Sequence, residues 1–307
     1  MAATQSSPPE RPGFDPQTGV LVPIASGLAR LTAPNASPFT FTGTNTFLIG
    51  HDRIAVLDPG PDDDAHLEAI LAAAGHRPIE AILLTHTHID HCALVPRLRQ
   101  RTGAPLVFGG RHRLSRPLKF LERNPFAHAS DYALVPDREI KDGDRLEYGG
   151  VALSAIATPG HCANHFSFAL DGTDTVLTGD HLMAWNTTLV ATPDGDLAAY
   201  LASLDRLEAL PQTRYIPAHG GEIADGPARV RAVRTHRLMR NGQILNALKS
   251  GPLSLSRLAE RIYPDVTPRV RIGARRTLLS HLEYLESTGA LRITRTPWSL
   301  RASLMER

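Results

Sequence analysis

Short apolar runs punctuated by glycine, proline and aspartate fill the first two-thirds of the chain. Residues 20–31, 45–50, 53–57, 81–85, 106–109, 151–157, 166–170, 175–179 and 214–218 read as strands. They are brief, carry many Val, Ile, Leu and Phe, and end in turn residues such as Asp58-Pro59-Gly60. Residues 64–74 and 196–210 instead space their apolar positions as helices do. This alternation predicts an α/β fold. The stretch 97–136 is rich in Arg and Pro and poorly periodic, and no internal repeat appears.

The pattern changes after Gly220-Gly221. Residues 227–239 and 244–248 read as helical, residues 254–262 as a helix capped by Ser254, and residues 268–287 as a longer amphipathic helix. Ile272, Leu278, Leu279, Leu282 and Leu285 form its apolar side, and Gly289 ends it. A hairpin over 291–294 and 298–300 follows, which makes this part winged-helix-like. Three segments result: a flexible N-terminal lead at 1–19, a catalytic domain at 20–224 and a basic domain at 225–307.

Charge sharpens that division. The near-neutral total hides sixteen Lys and Arg against six Asp and Glu from residue 225 onward, and seventeen against twenty-five before it. Arg269, Arg271, Arg275 and Arg276 lie on the long helix, either as a phosphate-contacting face or as a surface packed on the acidic first domain. No aromatic platform for stacked bases accompanies them. Cys92 and Cys162 are the two cysteines, so no disulfide framework is implied, and both read as buried thiols. The polar, Pro-rich start resembles neither a signal peptide nor a membrane helix, and no apolar run approaches eighteen residues. A cytoplasmic protein without a membrane partner is expected.

The chemistry gathers at strand ends. His86-Thr87-His88-Ile89-Asp90-His91 packs three imidazoles and a carboxylate into six positions beyond an apolar run. His161 follows a Pro-Gly turn, Asp180 follows Thr178-Gly179, and His219 follows Pro217-Ala218. Imidazole nitrogen and carboxylate oxygen suit borderline divalent metals. Five histidines and two aspartates fit a two-metal site built from loops at one sheet edge.

The order His-x-His-x-Asp-His, Gly-His, Gly-Asp and Pro-Ala-His-Gly resembles the metallo-β-lactamase superfamily. Asn45-Thr-Phe-Leu-Ile-Gly50 and the stretch from Gly179 through Gly195 to Leu210 resemble its lactamase-beta-like-2, endoribonuclease-like branch. The resemblance implies a four-layer αββα sandwich with two metal ions at one edge. His86, His88 and His161 would hold one ion; Asp90, His91 and His219 the other; Asp180 and a water or hydroxide would bridge them. Asp90 would also accept a hydrogen bond from the attacking hydroxide. Zinc is the default metal, with iron or manganese as alternatives. Asp58 is expected to orient a ligand histidine, His165 to sit beside the site without binding metal, and His181 to be structural. Relatives often insert substrate-covering structure where residues 97–136 lie; an ordinary connection is the other reading. The implied activity is hydrolysis by a metal-bridging hydroxide, with single-stranded RNA phosphodiesters as first candidates. A thioester or ester substrate of the hydroxyacylglutathione type is the alternative, and a nucleic-acid-binding regulator with a vestigial hydrolase fold is a third reading.

Overall fold

The computed structural model describes residues 13–264, 271–296 and 299–305. The residues 1–12, Arg269, the Arg271 side chain and Trp298, for which expectations were stated above, lie outside this description. The first sheet runs in chain order: β1 (Leu21–Ala25), β2 (Leu28–Thr32), β3 (Asn45–Ile49), β4 (Ile54–Leu57), β5 (Ile79–Leu83), β6 (Leu106–Phe108) and β7 (Arg138–Glu139). Its first four strands pair antiparallel and the rest parallel. The single strand predicted over 20–31 is thus a hairpin, turning at Gly27 in the left-handed region. The second sheet holds β8 (Arg145–Tyr148), β9 (Val151–Ala157), β10 (Phe166–Leu170), β11 (Thr175–Gly179) and β12 (Arg214–Pro217); its final pair is parallel.

The apolar runs lack alternation because both faces of these strands are buried. Phe47, Ile49, Ala55, Leu57, Ala81 and Leu83 meet Leu153, Phe166, Phe168, Leu177 and Ile216 between the sheets. Their neighbours Leu48, Ile54, Val56 and Ile82 turn outward under helices α1 (Asp64–Ala74) and α3 (Val95–Thr102), while the short α2 (Ile89–Cys92) carries part of the motif. On the far side, Ala169, Val176 and Tyr215 pack under α4 (Leu197–Glu208) and α5 (Gly226–Leu248). These are the four layers of an αββα sandwich. Asp63, Asp196 and Asp225 start α1, α4 and α5 by accepting hydrogen bonds from backbone amides three residues on.

α5 is one helix of 23 residues where two were expected. Gly242 lies within it, with open space where a Cβ would stand. Val230 and Val233 close the outer core of the second sheet, whereas Ile244 and Leu248 join Leu258, Leu278, Leu282, Leu285 and Ala302 in a separate cluster. That cluster includes α6 (Leu255–Ile262), α7 (Arg271–Ser287) and a three-stranded sheet of β13 (Leu253–Ser254), β15 (Leu300–Leu304) and β14 (Leu291–Arg295). Ile272 departs from expectation. It is 56% exposed, because the buried stripe of α7 runs through Leu278, Leu282 and Leu285.

Asn45 ties the two sheets together at the edge where the strands feed the motif loops. Its backbone N–H donates to Ala218 O (2.7 Å), and its side-chain amide donates to Pro217 O (3.0 Å) and Gly220 O (2.9 Å). Thr32 Oγ1 donates to its carbonyl oxygen at 2.9 Å. A boundary at residue 225 falls at the start of a helix that serves both cores. A chain ending at residue 224 should therefore expose Val176 and Tyr215, aggregate, or melt on the order of 10 °C lower. A soluble fragment with the full-length melting temperature would show that α5 is dispensable to the sandwich.

Candidate metal centre

Five strand ends converge here. β5 runs into Thr85 and His86, and α2 begins with His88 as its N-cap residue. This short helical turn brings Asp90 and His91 back over the strand end, with His91 N–H donating to His88 O at 3.0 Å. Gly160 takes φ +138, and a Cβ there would lie 2.3 Å from Tyr200 Cα, so only glycine lets the turn deliver His161. Gly179, at φ +53, likewise lets β11 turn Asp180 inward; a Cβ would lie 2.6 Å from His165 Nε2.

The converging atoms form two clusters. His86 Nε2 and His161 Nε2 lie 3.0 and 2.9 Å from His88 Nδ1. His219 Nε2 lies 3.3 Å from Asp90 Oδ2, and His91 Nε2 lies 3.6 Å from the same oxygen. Asp180 sits between them. Its Oδ2 is 3.6 Å from His161 Nε2, while its Oδ1 is 3.2 Å from His219 Nε2 and 3.5 Å from His91 Nε2. Two ligands at ~2.1 Å from a tetrahedral ion are themselves ~3.4 Å apart; the separations involving Asp90 and Asp180 match this, and those to His88 Nδ1 are somewhat shorter. His91 Nε2, His219 Nε2 and Asp180 Oδ1 are buried without a hydrogen-bond partner. Orphaned polar atoms aimed at one point are costly unless something cationic satisfies them. The donor set therefore fits two divalent ions.

Every histidine in the set has its other nitrogen pinned to an acceptor. His91 Nδ1–H donates to Asp58 Oδ2 at 3.0 Å, and His88 Nε2–H to Asp194 Oδ2 at 2.9 Å. His161 Nδ1–H donates to Leu189 O (2.8 Å), His219 Nδ1–H to Gly43 O (3.2 Å) and His86 Nδ1–H to Thr85 Oγ1 (3.0 Å). Each contact fixes a tautomer and leaves a lone pair facing the cluster. Asp58 is wholly buried and also accepts from Thr85 N (2.8 Å) and Thr85 Oγ1 (2.7 Å). His165 Nε2 accepts from Asp180 N at 3.0 Å, which holds the carboxylate's backbone, and the His165 ring makes no approach to the ligand atoms as a further donor. His181 is buried against Tyr200, ring centroids 4.4 Å apart.

Burial opposes ionisation of Asp180, yet His219 and His91 outweigh it and hold its carboxyl well below the usual range. Burial also works against a charged His219, but Asp180 and Asp90 prevail and push its pKa up to about 9. The pocket thus attracts positive charge, which protons meet in the absence of metal and metal would meet by displacing them. Both cysteines are buried, burial drives the Cys162 thiol well above its ordinary value, and neither thiol joins the clustered ligand atoms.

Asp194 and His112 were not singled out from sequence. Asp194 Oδ1 lies 3.1 Å from His112 Nε2 while its other oxygen holds His88. It lies in Thr192-Pro193-Asp194-Gly195, which reads as an ordinary turn. Leu189 O and Gly43 O are backbone groups with no residue-type signature.

The metallo-beta-lactamase superfamily model matches residues 39–219. The chain belongs to the metallo-beta-lactamase superfamily. It is 28% identical to the metallo-beta-lactamase family protein TTHA1429 from Thermus thermophilus, covering 92% of this chain and 99% of that one with a TM-score of 0.74. A beta-lactamase domain protein from Burkholderia ambifaria shares the fold at 21% identity, covering 96% of each chain with a TM-score of 0.79. Among curated relatives, an atrochrysone carboxyl ACP thioesterase of Aspergillus chevalieri is 31% identical over 74% of this chain and 67% of its own length. The beta-lactamase-like protein 2 homolog of Caenorhabditis elegans is 28% identical over 82% and 81%. This superfamily member is a metallohydrolase, and its His and Asp clusters could hold the two metal ions that the superfamily typically binds.

Purified protein should carry about two divalent ions per chain by elemental analysis. Asp180→Ala should empty both positions, since that carboxylate alone faces both clusters. Asp58→Ala should fold and lose roughly ten- to a hundredfold in metal affinity; wild-type affinity in the variant would reduce Asp58 to a turn residue.

Proposed function

We propose that this metallohydrolase cleaves thioesters or esters whose acyl part is apolar. One observation carries the reading: the cleft over the metal centre, about 300 Å³, has a polar floor and apolar walls. His88, Asp90, His161 and Asp180 form the floor, and Phe39, Ile89, Phe126, Met183 and Leu189 stand around it. Among the described residues no Lys or Arg lines it. A nucleic-acid backbone brings a charge at every linkage and calls for cations along its path. An acyl group calls for apolar walls and a polar point of attack. The thioesterase name of one curated relative supports the same choice.

The RNA phosphodiester reading rested on the branch resemblance and on the basic C-terminal segment with its arginines on α7. Arg276 instead bonds Glu122 Oε1 (3.2 Å) and Arg123 O (2.8 Å), and Arg275, exposed, donates to Ser256 Oγ at 3.1 Å. Arg276 is thus committed to packing this segment on the sandwich. We further read residues 225–307 as a winged-helix-like domain that shapes the cleft, since α7 packs beside Phe126 and Leu189 at Gly273.

When bound, two divalent ions, for which we propose zinc, supply Lewis acidity that lowers the pKa of water and stabilises developing negative charge. Asp90 lies at the cleft floor with one oxygen toward His219, leaving the second to accept a hydrogen from the attacking water. Asp194 keeps the His88 ring fixed while charge develops beside it. Leu189 and Phe126 exclude bulk water from the acyl side. A cytoplasmic setting is proposed from the two free cysteines; no helix among the described residues is long and apolar enough to cross a membrane.

Metal-loaded protein should hydrolyse medium-chain or aromatic acyl thioesters with kcat/KM nearly independent of salt. Leu189→Asp should lower kcat/KM on these substrates by about tenfold or more, while a short acetyl thioester is spared, as the loss of apolar wall contacts predicts. Cleavage of single-stranded RNA that exceeds thioester turnover and falls steeply with salt would overturn the proposal in favour of phosphodiesters.

A further inference from the structure

The two halves of the metal centre are held by different parts of the molecule. His91 and His219 are pinned by Asp58, at the end of β4, and by Gly43 O, just before β3. Both supports belong to the first sheet and its approaches. His88 and His161 are pinned instead by Asp194 and Leu189 O, which lie on a single segment between β11 and α4.

That segment has little regular structure of its own and is strapped down from outside. α5 holds its first part: Arg229 Nε donates to Met183 O and its Nη2 to Asn186 O, both at 2.8 Å. Arg237, 3% exposed and stacked over Tyr200 with its guanidinium 5.3 Å from the ring centre, donates to Thr188 O at 2.5 Å. α7 holds the second part, through Thr192 Oγ1 donating to Glu283 Oε2 at 2.7 Å, together with Ser115, whose N–H donates to Pro193 O at 2.9 Å and whose Oγ donates to Asp194 O at 2.5 Å. Glu283 is itself fixed by Arg116 Nη2 (2.7 Å), Arg295 Nη2 (2.8 Å) and Lys119 Nζ (3.0 Å). The chain of contacts therefore runs from α7 through Glu283 and Thr192 to Asp194 and His88. A parallel one runs from α5 through Arg237 and Thr188 to Leu189 and His161.

We infer that the C-terminal helices set the affinity of one metal position alone, the one framed by His86, His88 and His161, with Arg237, Thr192 and Glu283 as positioning residues. The inference rests on the two-metal reading of the site but not on any substrate. Loosening the strap lets the His88 and His161 rings turn away from a shared point, while the His91 and His219 rings keep their supports. The C-terminal segment is then a device that can leave the centre with one ion or complete it with two.

The test uses full-length protein and zinc alone, read by competition with a chromophoric chelator. Glu283→Ala leaves Lys119 and Arg295 without their carboxylate and takes one of two from Arg116, and so risks unfolding; Thr192→Val is therefore the main variant: it removes the hydroxyl, keeps the volume and leaves the Glu283 ion pairs intact. Arg237→Met tests the other arm. Each is measured in wild type, in a His219→Ala background that leaves only the first position intact, and in a His161→Ala background that leaves only the second. The expected result is two zinc ions in wild type, a roughly tenfold or greater loss of affinity in the His219→Ala background, and no change in the His161→Ala background. The metal-free melting temperature of Thr192→Val should stay near wild type. Equal weakening in both backgrounds, or none in either, overturns the coupling. Fewer than two zinc ions in wild type would overturn the two-metal reading, and with it this inference, before any variant is compared.

Discussion

An imidazole can offer a lone pair to a metal only if its other nitrogen carries the proton and the ring is kept from turning. Satisfying that requirement five times in one small volume governs the whole architecture. It needs five acceptors placed behind five rings, three of those rings from the turn after β5, with acceptors drawn from the ends of β4 and β5, the approach to β3 and the segment between β11 and α4. The sandwich provides them because its parallel and antiparallel strands finish at one edge. Asn45 then fastens the two sheets where their spacing matters most. The orphaned nitrogens and carboxylate oxygen at the middle are the remainder of this arrangement: their partners are not protein groups.

Much of this was legible in the chain. The ligand types and their positions after apolar runs stand out because few structural roles call for three histidines and an aspartate in six residues. Asp58 was legible for a related reason, as a carboxylate on a turn at a strand end. The strands were readable, but their pairing was not, since runs buried on both faces carry no alternation to say which side meets which. The split of the first strand at Gly27 and the continuity of α5 through Gly242 turn on one physical point. A glycine permits a turn without requiring one, and only the surroundings decide.

What sequence could not supply was the outer ring of support. Asp194 hides in a turn motif that would attract no notice anywhere else, and two of the acceptors are main-chain carbonyls. The arginines of α7 left two readings open. Clustered positive charge suggests a polyanion, yet whether a guanidinium is free depends on which carboxylates fold back against it. Glu122, distant in sequence, answered that for Arg276. Electrostatic readings from composition concern a surface that does not exist until the chain has packed.

Asp58 has one more property with a wider bearing. It sits at φ +51, a left-handed conformation that side chains adopt at a cost and that Asn and Asp tolerate better than most. The position thus makes two independent demands, a backbone that accepts this bend and a carboxylate that accepts the His91 proton. Asn meets the first and gives up the charge; Glu keeps the charge but fits the bend poorly and reaches one methylene too far. Each single replacement at Asp58 thus fails one demand or the other, so a working substitute would have to rebuild the turn and the imidazole support together.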